Sequence, residues 1–134
     1  MKTIVKVATI LVFFSVSIMI NLAEEAPNLS ESEVATLIEG IKSENYGLMR
    51  SSIFIAGKYR VEEAVEALFE VLERESDPSN LVLVSLAIYR IGNLEAMMKV
   101  IETANNSENN HTKNILSAIA MNYLVENEIP FSLK

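Results

Sequence analysis

The apolar residues between positions 31 and 126 recur three and four residues apart, which is the spacing of one face of an α-helix. Short polar segments separate the apolar stretches, so the pattern predicts an all-α fold of five to six antiparallel helices. No stretch combines period-two alternation with turn signals, and no β-strand is expected. The helices are predicted over residues 31–41, 45–57, 61–74, 78–91, 94–104 and 111–126.

Capping residues mark where several of these helices begin and end. Ser30 and Glu33 have the spacing of a capping box. Asp77–Pro78 predicts a helix start, and Gly92–Asn93 predicts the end of one helix and the cap of the next. Asn110 is expected to cap the last helix. The fourth helix is apolar nearly all round, which predicts that neighbouring helices cover it on two sides.

The first 23 residues differ from the rest of the chain. Lys2 and Lys6 precede an apolar run over residues 7–20, and Ala23 is a small residue suited to a cleavage site. This order of features is typical of a secretory signal peptide. A spanning helix needs about 20 apolar residues, so the run is short for a permanent anchor. Asn21 stands where a small residue is usual, which leaves an uncleaved N-terminal anchor as the alternative.

The chain is therefore expected to have four parts: a signal peptide or anchor over residues 1–23, a short polar lead over 24–30, a helical domain over 31–126 and a C-terminal tail over 127–134. An exported chain without cysteine favours a bacterial periplasmic or extracellular location. The protein would be membrane-anchored, and would contact a membrane through this segment alone, if the signal stays uncleaved.

Composition narrows the classes of function. A length of 134 residues allows one small domain. The absence of cysteine excludes a disulfide scaffold, a thiolate metal site and a cysteine nucleophile. With 18 acidic against 11 basic residues and a formal charge of −7, the chain lacks the basic excess of a nucleic-acid binder. No nucleic-acid partner is expected.

Two segments of the predicted helical domain align without a gap at a shift of 32 residues. Residues 56–68 read AGKYRVEEAVEAL, and residues 88–100 read IYRIGNLEAMMKV. A further shift of 32 keeps a large, largely apolar side chain at the aligned position, which is Tyr59, Ile91 and Tyr123. A helix pair repeated at such an interval predicts a stacked solenoid in which each pair covers its neighbour's apolar face.

Residues 56–68 resemble the turn of a HEAT or HEAT-like (armadillo-type) repeat, whose pattern has a Gly, a Lys, an aliphatic residue, Gly-Asp-Pro-Glu and then Ala-Val with a later Leu. Residues 91–96 (IGNLEA) match the turn again. The chain departs from the pattern at residues 60–62, which are Arg-Val-Glu, and at Met97. The resemblance covers about residues 32–126. It implies a right-handed α-solenoid of HEAT-like helix pairs and is nearly silent on activity.

Five glutamates stand close together on the third predicted helix. Four of them follow the spacing 4, 4, 3, which places their carboxylates on one helix face. The set, here named the acidic row, is Glu62, Glu63, Glu66, Glu70 and Glu73. It is interpreted either as a docking strip for a basic protein or as an ordinary solvated face. Arg60, Arg74 and Lys99 are expected to relieve part of the repulsion within it.

Other candidate residues are few. Tyr89 is a candidate for partner binding, because Gly57 and Met121 at the aligned positions show that the repeat does not require an aromatic residue there. His111 is the only histidine, whereas a metal site needs several ligands at set spacing. No catalytic set is recognised, so catalytic, cofactor-binding and metal-binding residues are predicted to be absent.

The sequence thus predicts an exported, non-enzymatic HEAT-repeat protein that acts as a protein-interaction or scaffolding module. Its expected partner is a protein with a basic surface. One alternative is an accessory protein related to HEAT-like lyases, which would bind a linear tetrapyrrole. The other is a subunit of a larger envelope assembly that self-associates into a homo-oligomer through an open end of the stack.

Overall fold

The computed structural model describes residues 28–130. They form six α-helices and one 3-10 turn, without a β-strand among them, so the all-α prediction is confirmed for this part of the chain. The predicted signal peptide or anchor, most of the polar lead and residues 131–134 of the tail lie outside the described residues. The helices are α1 (Glu31–Lys42), α2 (Tyr46–Tyr59), α3 (Val65–Arg74), α4 (Pro78–Ile91), α5 (Leu94–Asn106) and α6 (Asn110–Glu126), and the 3-10 turn is Glu62–Ala64.

The helices pack in two layers. Helices α1, α3 and α5 lie side by side in one layer, and α2, α4 and α6 lie side by side in the other. Across the layers, α1 packs on α2, α3 on α4, α4 on α5, and α5 on α6. The apolar helix α4 thus contacts α2, α3, α5 and α6, which explains why so little of its surface is polar. None of the described helices is long and apolar enough to cross a membrane.

The helices of the second layer begin at regular intervals. Their first residues are numbers 46, 78 and 110, and the residue before each one caps the helix with its side chain. Asn45 accepts a hydrogen bond from the Leu48 amide, and Asp77 accepts from the amides at 79 and 80. The last cap is Asn109, not Asn110 as expected, because the Asn109 side chain accepts from the amides at 111 and 112. The capping box of Ser30 and the cap at Asn93 are confirmed.

The core recurs at the same interval as the helix starts. Sites 52, 84 and 116, and sites 56, 88 and 120, are buried in all three helices of the second layer. In the first layer, Leu68 and Val100 are fully buried. The nearby Val71 and Ala104 are at most 1% exposed. Side chains of different size occupy the equivalent sites, so the helix interfaces need not have the same spacing.

The third helix begins differently from the predicted one. The expected helix over 61–74 starts with the 3-10 turn, and regular α-helix begins only at Val65. Neither Val61 nor Ala64, the residues before the two elements, has a side chain that accepts a capping hydrogen bond. An uncapped first turn commonly tightens in this way, because a 3-10 turn satisfies some amides that an α-helix would leave without partners.

Candidate interaction surface

The acidic row lies on the outer surface of the first layer. Glu62 and Glu63 belong to the 3-10 turn, whereas Glu66, Glu70 and Glu73 belong to α3. All five side chains are exposed. The continuous α-helix predicted over residues 61–74 was wrong at its start, so the helical spacing places only Glu66, Glu70 and Glu73 together on one face of α3.

One member of the row already has an ionic partner inside the chain. The Lys42 Nζ atom at the end of α1 lies 2.6 Å from the Glu70 Oε1 atom. Both side chains are about half exposed, so water screens this ion pair and it contributes at most about 1 kcal/mol. The pair links the neighbouring helices α1 and α3 and reduces the negative charge in the middle of the row.

Two of the three basic residues expected near the row make other contacts. The Arg74 guanidinium donates to the Ile41 carbonyl at 3.3 Å. Lys99 pairs with Glu102 on its own helix, with 3.3 Å between Nζ and Oε2. Lys42, which the sequence argument did not consider, is the residue that the structure pairs with the row.

A groove with a volume of about 540 Å³ lies between the C-terminal halves of α3 and α5. Its apolar lining comes from Phe69, Leu72 and Leu81. Four carboxylates and one amine also line it: Glu73, Glu75, Glu102, Glu108 and Lys99. The groove therefore continues the acidic row past its end and offers an apolar surface between negative charges. No three of the histidine, aspartate and glutamate side chains in residues 28–130 lie close enough together to hold a metal ion.

The helix next to the acidic row carries exposed apolar residues. Leu94 and Met98 on α5 are 44% and 50% exposed. They follow Glu62 and Glu66 by 32 residues, and α5 lies beside α3 in the same layer. Leu94 and Met98 on α5 thus occupy the places that Glu62 in the 3-10 turn and Glu66 on α3 occupy one repeat earlier. Sequence reasoning missed this pair, although the shift of 32 residues aligns the two sets directly.

Tyr89 lies apart from the acidic row. Its hydroxyl donates a hydrogen bond to the Glu126 carboxylate and accepts one from the Asn122 amide at 2.9 Å. Its ring meets the edge of the Tyr123 ring with 5.8 Å between centroids. These partners are all on α6, so Tyr89 lies between two helices of the second layer and the structure does not bring it to the glutamates of α3. The hydrogen bond to Glu126 raises the pKa of the Tyr89 hydroxyl.

His111 lies in the first turn of α6 and is exposed. Its backbone amide donates to the cap residue Asn109 at 2.9 Å.

Comparison of the chain with protein-family models, with curated proteins and with solved structures gives no match. The function must therefore be argued from the geometry of this surface and from the sequence.

Proposed function

We propose that the protein is an exported HEAT-like repeat protein and that it acts as a non-enzymatic protein-interaction or scaffolding module. The regular starts of α2, α4 and α6, their caps at residues 45, 77 and 109, and the side-by-side packing within each layer support a repeat architecture. In this proposal the helix pairs stack as a solenoid, because each pair leaves an apolar face that the next pair covers, and the resemblance to HEAT-like repeats implies a right-handed one.

The interaction surface in this proposal is the outer side of the first layer. The single observation that carries it is the juxtaposition of the acidic row on α3 with exposed Leu94 and Met98 on α5. A row of carboxylates alone would be an ordinary solvated surface. Half-exposed leucine and methionine side chains beside it add apolar area that a partner can cover, and methionine adapts well to different partner shapes.

The chemistry of this surface defines the partner. Exposed carboxylates favour lysine and arginine side chains and repel acidic ones. The apolar pair favours aliphatic or aromatic side chains about one helical turn apart, because residues 94 and 98 have that separation on α5. A basic, amphipathic segment of a protein combines both properties, and we propose that such a segment binds here.

Charge reversal tests this surface in a capture experiment from an envelope extract. Glu62→Lys with Glu66→Lys is the informative double variant, because Glu70 is already paired with Lys42. It should lose a partner that the wild-type protein retains, and Met98→Ser should weaken capture without a change of charge. Glu44→Lys with Glu128→Lys makes the same change of charge at exposed sites elsewhere and should capture as the wild type does. Equal recovery with both double variants would contradict the proposal.

Export has a separate test. The intact mass of the protein recovered from the periplasm or the medium should equal that of a chain beginning at Glu24. Recovery of the full-length chain only in the membrane fraction would support the uncleaved anchor instead.

The alternative of a linear tetrapyrrole ligand gains no support from the groove between α3 and α5. Linear tetrapyrroles carry propionate groups, and Glu73, Glu75, Glu102 and Glu108 would repel these negative charges. Among residues 28–130, Lys99 is the one basic residue that lines the groove, and it already pairs with Glu102.

A further inference from the structure

The first helix of the second layer has an uncovered face. Leu48 and Ile55 on α2 are 52% and 37% exposed. The residues that occupy the same places on α4, Asn80 and Ala87, are each only 3% exposed, and Thr112 on α6 is 2% exposed. The same two helical sites are therefore buried in α4, and buried at Thr112 and partly buried at Ile119 in α6, but open in the first helix.

The reason is visible at the interface between α2 and α4. Asn80 accepts a hydrogen bond from Arg50 on α2, and Ala87 lies so close to α2 that a Cβ atom on Gly57 would come within 2.7 Å of its Cα atom. The preceding helix thus covers these two sites of α4. In residues 28–130 no helix of the second layer precedes α2, so no helix of that layer covers the equivalent face, formed by Leu48, Ser51 and Ile55.

The opposite end of the layer is arranged differently. After α6 the chain reverses direction at Glu128, which has a φ of +54°. The Ile129 amide then donates to the Leu124 carbonyl at 2.9 Å, and the Ile129 side chain packs against the core. The chain therefore covers part of its own C-terminal end, although Met121 and Val125 on α6 remain 43% and 70% exposed.

The remaining question is what covers the α2 face, and the answer rests on the proposed export. Cleavage after Ala23 would leave only Glu24, Glu25, Ala26 and Pro27 ahead of the described residues. Four residues that include two carboxylates and a proline are too short and too polar to replace a helix. We propose that a second copy of this chain covers the face, with its own α2 packed against the first across a two-fold axis.

The composition of the face suits such a symmetric contact. Leu48, Ser51 and Ile55 lie three and four residues apart, on one side of the helix. Ser51 is small, and its hydroxyl donates to the Gly47 carbonyl at 2.8 Å, so it demands no partner from another molecule. Two such faces can approach closely at Ser51 while the Leu48 and Ile55 side chains of both copies pack around it, and two-fold dimers are the commonest oligomers.

Light scattering on the protein recovered after export tests the dimer. The wild-type protein should have twice the mass of one chain, and Leu48→Glu should reduce the mass twofold. Met121→Glu is the matched control, because Met121 is a half-exposed apolar residue on the last helix, α6. A wild-type protein that stays monomeric at millimolar concentration would overturn the inference, and so would dissociation by Met121→Glu with Leu48→Glu still dimeric.

A cysteine variant gives a second reading that does not depend on how well Leu48→Glu folds. The chain has no cysteine, so Ser51→Cys introduces a single thiol at the proposed axis. A disulfide needs Cα atoms about 4.4–6.8 Å apart, which only a close symmetric contact supplies. Ser51→Cys should form a covalent dimer on oxidation, and Met121→Cys should not. The opposite result would overturn the inference, whereas the intact mass, measured separately, reports whether the leader was removed.

Discussion

Two turns that are 32 residues apart both connect a helix of the second layer to the next helix of the first layer, but they are built from different residues. The chain passes from α2 to α3 through Arg60 and Val61, and from α4 to α5 through Gly92 and Asn93. Arg60 and Gly92 both adopt the left-handed conformation, with φ of +53° and +85°. Glycine adopts this conformation without a steric penalty, whereas in arginine the Cβ atom comes too close to the following carbonyl oxygen.

The residues that follow differ as much. The Asn93 side chain accepts a hydrogen bond from the Ala96 amide at 2.9 Å, and α5 begins as regular helix at Leu94. Val61 cannot accept such a bond, but it is only 6% exposed and packs in the core. Burial of one aliphatic side chain can therefore hold a turn in place where local capping is missing, although the helix then starts with a 3-10 turn.

The helix interfaces beside the two turns differ as well. Gly57 on α2 lets α4 approach so closely that a Cβ atom there would lie 2.7 Å from the Ala87 Cα atom. At the equivalent place on α4, the Tyr89 ring lies between α4 and α6 and meets Tyr123 edge-on. The first interface is therefore the less tolerant of added volume, because backbone rather than a mobile side chain opposes the new atoms.

The largest expected loss of stability comes from Gly57→Val, which adds a side chain at the close contact between α2 and α4. The added side chain must push α4 away from α2, and overpacking of this kind costs typically about 1–3 kcal/mol. We expect a loss at the upper end of that range, about 3 kcal/mol in the free energy of unfolding, measured by urea denaturation. Met121→Val changes the equivalent, half-exposed place on α6 and should stay within about 0.5 kcal/mol of the wild type.

Unchanged stability of Gly57→Val would mean that α2 and α4 are farther apart than described. It would also weaken the view that the two helix interfaces have different spacings.

Substitution of the residue in the left-handed conformation should change the free energy of unfolding in opposite directions at the two turns. Arg60→Gly removes the steric strain at Arg60 and should raise the free energy of unfolding by about 0.5 kcal/mol, after allowance for the greater freedom of glycine in the unfolded chain. Gly92→Ala introduces a Cβ atom at a φ of +85° and should lower it by about 1 kcal/mol. Thermal or urea unfolding of both variants checks the pair.

The control for this pair is Lys58→Gly, an exposed helical site two residues before Arg60. Glycine inside a helix should cost about 1 kcal/mol there. If Arg60→Gly also lost stability, its side chain would contribute contacts that outweigh the strain, and the two turns would be less alike than their dihedral angles indicate.

Local signals in the sequence predicted the all-α class and most of the helix boundaries between residues 28 and 130. Helix periodicity, the capping box at Ser30 and the residues Asp77, Gly92 and Asn93 act within one helical turn, so they can be recognised without knowledge of the neighbours. The 3-10 start of the third helix was not predicted, because the helical pattern continues through Val61 although no capping side chain is present. Asn109 and Asn110 are both suitable caps, and only the backbone geometry distinguishes them.

The candidate surface was harder to predict, because its parts come together through packing. Lys42 meets Glu70 across 28 residues, and Tyr89 meets Glu126 across 37. Such pairs depend on the exact placement of neighbouring helices, which the hydrophobic pattern does not specify. The place of Leu94 and Met98 beside the acidic row follows once α3 and α5 are known to be neighbours. The role of these residues and of Tyr89 in partner binding stays a prediction.

The smallest expected effect on stability concerns a difference between the segment that precedes α4 and the segment that precedes α6. Before α4, Glu75 accepts hydrogen bonds from the amides of residues 76 and 77 and from the buried Asn80 side chain. Before α6, the equivalent residue is Ser107, which has no carboxylate. Burial alone would raise the pKa of Glu75, but the hydrogen bonds from Asp77, Asn80 and Ser76 outweigh it and lower the pKa below its ordinary value of 4.5.

A lowered pKa means that the ionised carboxylate favours the folded state. The stability that Glu75 contributes is thus present above about pH 4.5, the ordinary pKa, and is lost as the pH falls through the lower, folded value. Urea denaturation between pH 3 and pH 7 should therefore show a smaller loss of stability in acid for Glu75→Gln than for the wild type. Glu63→Gln makes the same change of charge at an exposed site and should keep the wild-type loss. Identical acid profiles for Glu75→Gln and Glu63→Gln would show that Glu75 does not stabilise this junction through its charge, and the two segments would then differ in sequence but not in their response to pH.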